Sequence, residues 1–470
     1  MRHLVRERAA AAGVLAAAVI AGAVPALAHA NGAFPDAQSI LTPVDRPGQI
    51  MLVTNFGVIM STNAGATWLW SCETEGNAFG MLYQLSPLPS MRLYTVADQG
   101  LAFSDDATCT WTTAAGALVG QSVTDAYVDP VAADHVLAIG VASTIYSVYE
   151  SRVGGMSFAP ALFTAPASHT INSVEIARSD AMTIYLAMTS PTTAPLLARS
   201  HDGGAHFDVK NLEPSLGKGL LRIIAIDPAD PERVLLRFNG ANEQSIALTT
   251  DGGTTATTPL VVNGNFTSFV RLPSGTLLVG GMVDFAVVPG LYRSRDRGAS
   301  FVRLPTPPSI RALSQRDGVV YAATDNFSDG YALGTSADEG DTWHDLLRYD
   351  QVGAIMPCLK SRCQASCQTQ VDLGLWPQDV CTAAAPTMTG SAGSSGNSGM
   401  SGAGGAGAGG RGGTGGPSHP SDGNCSVASS ADPVLSLAAC ACAAVALLVR
   451  SRVTSRRCRR RPSPSSSLRS

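Results

Sequence analysis

Apolar residues in this chain come in short runs of three to five, each closed by turn-forming residues. Ile50-Met51-Leu52-Val53, Leu93-Tyr94-Thr95-Val96, Val136-Leu137-Ala138, Val234-Leu235-Leu236, Leu277-Leu278-Val279 and Val319-Val320-Tyr321-Ala322 are examples. β-Branched and aromatic residues in runs of this length predict strands. Some are preceded by another run ending in a turn, as in Tyr127-Val128-Asp129-Pro130 and Ile226-Asp227-Pro228. A further run follows, such as Gly57-Val58-Ile59-Met60 or Gly290-Leu291-Tyr292-Arg293, and leads into a polar octapeptide. The pattern is all-β.

The octapeptide is clearest as Ser336-Ala337-Asp338-Glu339-Gly340-Asp341-Thr342-Trp343. The same frame returns with Ser61, Asn63, Gly65 and Trp68, and with Ser104, Asp106 and Trp111. Weaker copies carry Ser200, Asp202, Gly204 and Phe207, and Ser294, Asp296, Gly298 and Phe301. Two are degenerate: Thr249 with Asp251 and Gly253, and Ser151 with Gly155 and Phe158, where Val153 stands in place of the acid. Successive starts lie 43, 47, 49, 49, 45 and 42 residues apart, and such a period marks a solenoid or a propeller. In each copy the short Asp or Asn holds a tight turn, Gly supplies backbone freedom, and the aromatic begins the next strand. Four strands in each of seven units predict a seven-bladed β-propeller over residues 31–350, with six or eight blades as the alternatives. Pairing of the first and last segments would close the ring and cover its open edges.

These copies resemble the Asp-box of bacterial neuraminidases, of sortilin-type ectodomains and of photosystem II assembly factors. The resemblance covers roughly residues 34–350. It implies that each box joins the two outer strands of a blade, at the periphery and away from the axis where ligands usually sit. The box therefore speaks for fold more than for function.

The ends of the chain change the picture from a bare propeller to an exported one. Residues 1–30 read as a signal peptide: Arg2, Arg6 and Arg8, an apolar run from Ala9 to Val24, and a small-x-small site at Ala28-His29-Ala30. Residues 351–384 form a cysteine-rich module, and 385–424 a Gly/Ser-rich disordered linker. Residues 425–461 contain Cys425, an apolar stretch from Val434 to Val449 and a cluster of arginines, and 462–470 form a disordered tail. A short apolar span followed by basic residues predicts a transmembrane helix with its C-terminal end in the cytoplasm. The trio resembles the C-terminal sorting signal of myxobacterial surface proteins, in which Cys425 would be the processed position. Asn424 between the Gly and the Cys departs from that pattern. The implied location is the bacterial cell surface or envelope, membrane-anchored.

Six cysteines outside the tail, Cys72, Cys109, Cys358, Cys363, Cys367 and Cys381, are an even set, as expected of disulfides in an exported protein. Neighbouring blades would bring Cys72 and Cys109 together, so a Cys72–Cys109 bridge is expected. The remaining four permit three pairings, and their module would cap or staple the last blade. They include no C-x-x-C pair and no histidine, so no metal site is expected.

The chain carries a net charge of −4; residues 1–30 contribute +2 and residues 411–470 contribute +7, which leaves −13 for residues 31–410. So acidic a body disfavours nucleic acid, and the arginine cluster belongs with the apolar span beside it.

Candidate chemistry is sparse. No G-x-S-x-G elbow and no H-E-x-x-H occurs. The neuraminidase resemblance implies three arginines, a Tyr–Glu nucleophile pair and an Asp acid/base. The family's Phe-Arg-Ile-Pro motif is absent, and Arg46 lies instead in Asp45-Arg46-Pro47-Gly48. Arg222, Arg237 and Arg271 occupy strand-like positions that either face the axis or pair with local acids. Asp227, Asp284 and Asp325 are carboxylate candidates by type only. No catalytic residue and no cofactor is assigned. The expected function is non-catalytic binding of an extracellular protein, peptide or glycan, with loops such as 282–289 and 325–331 on the face opposite the boxes. An Asp-box glycoside hydrolase and a structural envelope protein are the alternatives.

Overall fold

The computed structural model describes residues 35–385, apart from 73–81, 98–99 and 286. The expected signal peptide (residues 1–30), nearly all of the Gly/Ser-rich segment, Cys425, the apolar span and the arginine cluster lie outside the described residues. Within them, seven four-stranded antiparallel units follow one another along the chain, the first joined by a further strand from the chain's end, and Ala115–Gly116 and Ser157–Phe158 form a separate two-stranded parallel sheet. This is a seven-bladed propeller. We label the strands of each blade A to D from the axis outward. Strand A runs over Ala37–Leu41, Tyr83–Leu85, Ser122–Val128, Thr170–Ala177, Leu220–Asp227, Asn265–Arg271 and Ala312–Arg316 in blades 1 to 7.

Blade 4 shows how the local sequence sets the blade. Its strands Thr170–Ala177, Asp180–Thr189 and Pro195–Ser200 are buried along most of their length, and the rim strand Asp208–Asn211 is mostly exposed. Sheets stacked on both sides bury both faces of a strand, which therefore reads as an apolar run. The core is accordingly a ring of apolar clusters shared by neighbouring blades; one joins Leu137 and Ile139 of blade 3 to Ile176, Ile184 and Leu186 of blade 4.

Strand A pairs on one side only, so its axial edge needs other hydrogen-bond partners. Side chains of the adjacent blade supply them. Val128 N donates to Gln84 Oε1 at 2.9 Å, Val174 N to Asp125 Oδ2 at 3.2 Å and Ile223 N to Ser173 Oγ at 2.8 Å. Blades 7 and 1 are joined instead between side chains, with the Thr42 and Ser314 hydroxyls 2.6 Å apart. In five blades an extra residue shifts the A–B register, for example between Val123 and Asp125 and between Ile171 and Ser173. Such a bulge bends the strand and increases its twist.

The ring closes through the cysteine-rich module, and two expectations are corrected there. The Cys72–Cys109 bridge does not form. Cys72 pairs with Cys363 and Cys109 with Cys358, while Cys367–Cys381 lies within the module. The module staples not the last blade but the first two. After blade 7 the chain crosses to blade 1, where Ala354–Ile355 adds a fifth strand parallel to strand D, Leu69–Cys72. The aromatic anchors explain this docking. Trp376 lies 5.2 Å from Trp70 and 5.9 Å from Phe56, and Tyr349 lies 5.2 Å from Phe56, between ring centroids. That packing presents Cys358 and Cys363 to the outer edges of two blades at once.

Candidate functional site

The octapeptides form the turns between strands C and D. In blade 7 the Ser336 hydroxyl donates to Asp338 Oδ1 at 2.8 Å, and Gly340 N donates to Ser336 Oγ at 2.9 Å. Thr342 N reaches the same Asp338 oxygen at 2.8 Å, and the Thr342 hydroxyl donates to Oδ2 at 2.5 Å. The Thr342 hydroxyl and amide hold the Asp338 carboxyl down at about 2. The network recurs around Asn63, Asp106, Asp202, Asp251 and Asp296. In blade 3, which lacks the acid, only the bonds from Val153 N and Gly155 N to Ser151 Oγ remain. These carboxylates are spent on their own turns.

The turns also rivet neighbouring blades. Gly253 has φ +96°, and a Cβ there would sit 2.7 Å from Leu197 of blade 4. Gly155 is covered in the same way by Tyr94 of blade 2. The aromatics back the turns: Trp68 is buried, Trp343 Nε1 donates to Gly340 O at 3.2 Å, and Phe207 packs 4.9 Å from Phe163. Trp111 and Phe301 lie partly buried against the apolar clusters.

The other acids singled out in the sequence are likewise committed. Asp227 pairs with Arg271 at 3.2 Å and Arg297 at 2.9 Å. Asp325 accepts Phe327 N and Ser328 N and pairs with Arg311 at 3.3 Å. Asp284 lies 3.6 Å from Arg303. Of the three arginines, Arg237 donates to Phe266 O at 3.0 Å and Arg271 holds Asp227; Arg222 faces the axis.

Along that axis lies a cavity of about 170 Å³, walled by strand A of blades 1 to 5 and 7. The A–B loops of blades 1 to 3, Pro43–Arg46, Pro87 and Pro130, form part of its rim. These loops lie at the same end of the ring as the octapeptide turns. The loops 282–289 and 325–331 join strands B and C at the opposite end, and neither lines this cavity.

Five charged residues line it: Asp45 and Arg46, paired with each other at 3.0 Å in the blade 1 loop, and Asp125, Glu175 and Arg222 on the strands. Asp125 and Glu175 are each only 9% exposed, and Arg222 Nη2 lies 3.9 Å from Asp125 Oδ1. Burial raises the Asp125 carboxyl to about 6 against the pull of Arg222 and of the Val174 amide. Burial raises Glu175 to about 8; the Ile226 amide and Arg271 oppose this, and the neighbouring Asp125 reinforces it. At neutral pH Asp125 is therefore ionised beside Arg222 while Glu175 keeps its proton. Asp125 and Glu175 did not emerge from the sequence. The available signal was an acid inside an apolar strand, in Val123-Thr124-Asp125-Ala126-Tyr127 and Ser173-Val174-Glu175-Ile176.

No family model matches the chain, and no curated protein matches it in sequence. Solved structures match its fold. The GH74 xyloglucanase from Xanthomonas campestris superposes with a TM-score of 0.50 at 16% identity, over 67% of this chain and 54% of that one. YCF48 from Cyanidioschyzon merolae superposes with a TM-score of 0.39 at 13% identity, over 61% and 92%. YCF48 bound to D1 peptide gives 0.34 at 17% identity, over 48% and 67%. The chain thus spans about half the length of the xyloglucanase, and at this identity the likeness is one of fold: this is a seven-bladed propeller similar in architecture to part of that enzyme.

Proposed function

We propose that the chain is an exported, surface-held recognition module that takes a polar, residue-sized group of an extracellular protein, peptide or glycan into its axial cavity. The observation that carries this reading is the cavity itself. A space of about 170 Å³ sits in a rigid ring, with an anionic, a protonated and a cationic side chain in its wall. A pre-formed concavity with a few convergent polar groups is the usual form of a ligand site. Three disulfides support an oxidising compartment. The leader-like start and the cysteine, apolar and arginine segments at the end support export and surface attachment. The test is binding of the full chain, with its disulfides formed, to peptide and glycan arrays, compared with rim variants Pro87→Trp and Pro130→Trp. Saturable binding lost in the plugged variants supports the reading; binding indifferent to the plugs overturns the cavity as its seat.

One observation favours a second reading, glycoside hydrolysis. Asp125 and Glu175 hold protons with different strength in one cavity, as an acid and a base must. Turnover of fluorogenic glycosides that disappears in both Asp125→Asn and Glu175→Gln would replace the binding reading.

A further inference from the structure

The charges along the axis do not balance locally. Strand A of blades 3 to 6 contributes Asp125, Glu175, Arg222 and Arg271. Arg271 is committed to Asp227, which Arg297 also holds. Arg222 approaches Asp125 no closer than 3.9 Å, beyond hydrogen-bond reach. Arg46, which also lines the cavity, is paired with Asp45 at 3.0 Å. Of the two nine-tenths-buried carboxyls, Asp125 thus has only the distant Arg222, and Glu175 feels only Arg271, which is already bound to Asp227. Each receives a backbone amide from the next blade, Val174 N on Asp125 at 3.2 Å and the Ile226 amide on Glu175. At Glu175 burial outweighs the opposing Ile226 amide and Arg271, so the carboxyl keeps its proton at neutral pH.

We propose that the cavity is a site for an alkylammonium group, presented as a lysine side chain of a protein partner or as a free polyamine. This rests on the cavity being the recognition site. A volume of about 170 Å³ holds five or six groups the size of water, close to the five heavy atoms of an aminobutyl chain. Leu41, Tyr83, Val128 and Ile224 supply apolar wall for the methylenes, and Asp125 and Glu175 supply the anionic end. The −13 carried by residues 31–410 draws cations toward the fold. A divalent metal fits less well, because no three His, Cys, Asp or Glu side chains cluster to hold one among the described residues.

The ammonium would take the place of the Glu175 proton, so binding releases that proton to solvent. The test is calorimetry of the full chain with cadaverine, Nα-acetyl-lysine amide and spermidine, in phosphate and in Tris, from pH 6 to 9. The expected result is release of about one proton near pH 7. Affinity should rise about tenfold per pH unit up to pH 8 and level off above it. Glu175→Gln should release no proton and lose the pH slope, binding at least tenfold more weakly at pH 8.5 and equally at pH 6. Asp125→Asn should weaken binding throughout. Melting temperatures of both variants separate these effects from misfolding. Spermidine binding tighter than the lysine amide identifies a polyamine site, and the reverse a lysine receptor. Absence of amine binding at millimolar concentration, binding without proton release, or displacement of the amine by Ca²⁺ overturns the proposal. If an uncharged glycan or peptide fills the cavity while cadaverine does not, this inference fails and the recognition reading survives; if no array ligand binds and plugging changes nothing, both fail.

Discussion

Replacing Cys72 and Cys363 by alanine cuts one of two covalent ties between the chain's end and its first blades. The two cysteines are 291 residues apart, but the Cys109–Cys358 bond already shortens the path between them. It runs 37 residues from Cys72 to Cys109 and five from Cys358 to Cys363, about 42 in all. Closing a loop of that size stabilises by ~4 kcal/mol in the chain-entropy treatment, against ~3 kcal/mol for the 14-residue separation of Cys367 and Cys381. Either ring-closing bond should therefore cost ~4 kcal/mol when removed alone. With one gone, the other closes a loop of 249 or 291 residues, so removing both should cost ~2 kcal/mol more than the sum of the single losses. Guanidinium unfolding of the wild type, the two single-pair variants, the double-pair variant and the Cys367/Cys381 variant measures all four quantities. A double-pair loss equal to the sum, or a local pair worth as much as a ring-closing one, would refute this account. Closure would then belong to the packing of Trp376 and Tyr349.

The irregular turns supply two gains of stability. Thr108 stands where other turns have glycine, at φ +81°, and its buried hydroxyl finds no hydrogen-bond partner among the described residues; Thr108→Gly should stabilise by ~1 kcal/mol after the entropy of the added glycine, read as a raised denaturation midpoint. Val153→Asp restores the missing acid of blade 3 and should add about 0.5–1 kcal/mol in the same assay; a neutral or destabilising result would mean that this turn cannot close around a carboxylate. Glu175 gives stability a pH dependence. Its folded value of about 8 lies above the ordinary 4.5 of an exposed glutamate, so its contribution is fully present below pH 4.5 and is lost as the pH rises toward 8, by up to ~5 kcal/mol. Glu175→Gln should remove that slope, and a melting profile from pH 4 to 9 that keeps it would place the titration elsewhere.

What the sequence revealed follows from burial. Strands A to C are packed on both faces and read as apolar runs, and the turns after strand C repeat with a period near 46 residues because most seat an Asp or Asn and, in six of seven blades, one glycine against the previous blade. Strand D is short and lies at the rim. Thr112–Thr113 and Val302–Arg303 have no pattern to find. The disulfide partners were hidden for a different reason: Cys72 and Cys109 sit on adjacent blades, yet the docking of Trp376 on Trp70, more than 300 residues apart in sequence, decides what reaches them. The site was hidden by the bulges. An extra residue beside Val123 and another beside Ile171 break the two-residue alternation, so counting along the strand does not tell which side chains face the axis.

The axial edges of the ring need hydrogen bonds, and neutral side chains make them well. Gln84 and Ser173 each accept an amide from the next blade with no charge to bury. Asp125 and Glu175 make the same kind of bond with carboxyls whose burial raises their proton affinity to about 6 and about 8. That choice costs on the order of a few kcal/mol at neutral pH relative to a serine or glutamine in the same place. Closure of the ring does not require it, since blade 2 through Gln84 and blade 6 through Ser268 satisfy neighbouring strands without an acid. Two costly acids, on adjacent strands, facing the same cavity and opposite one weakly engaged arginine, are better explained by something that enters the cavity than by the stability of the propeller. If so, Asp125→Asn together with Glu175→Gln should raise the melting temperature at pH 8 while abolishing whatever the channel holds. A double variant that is destabilised at pH 8 would return both residues to a purely structural role.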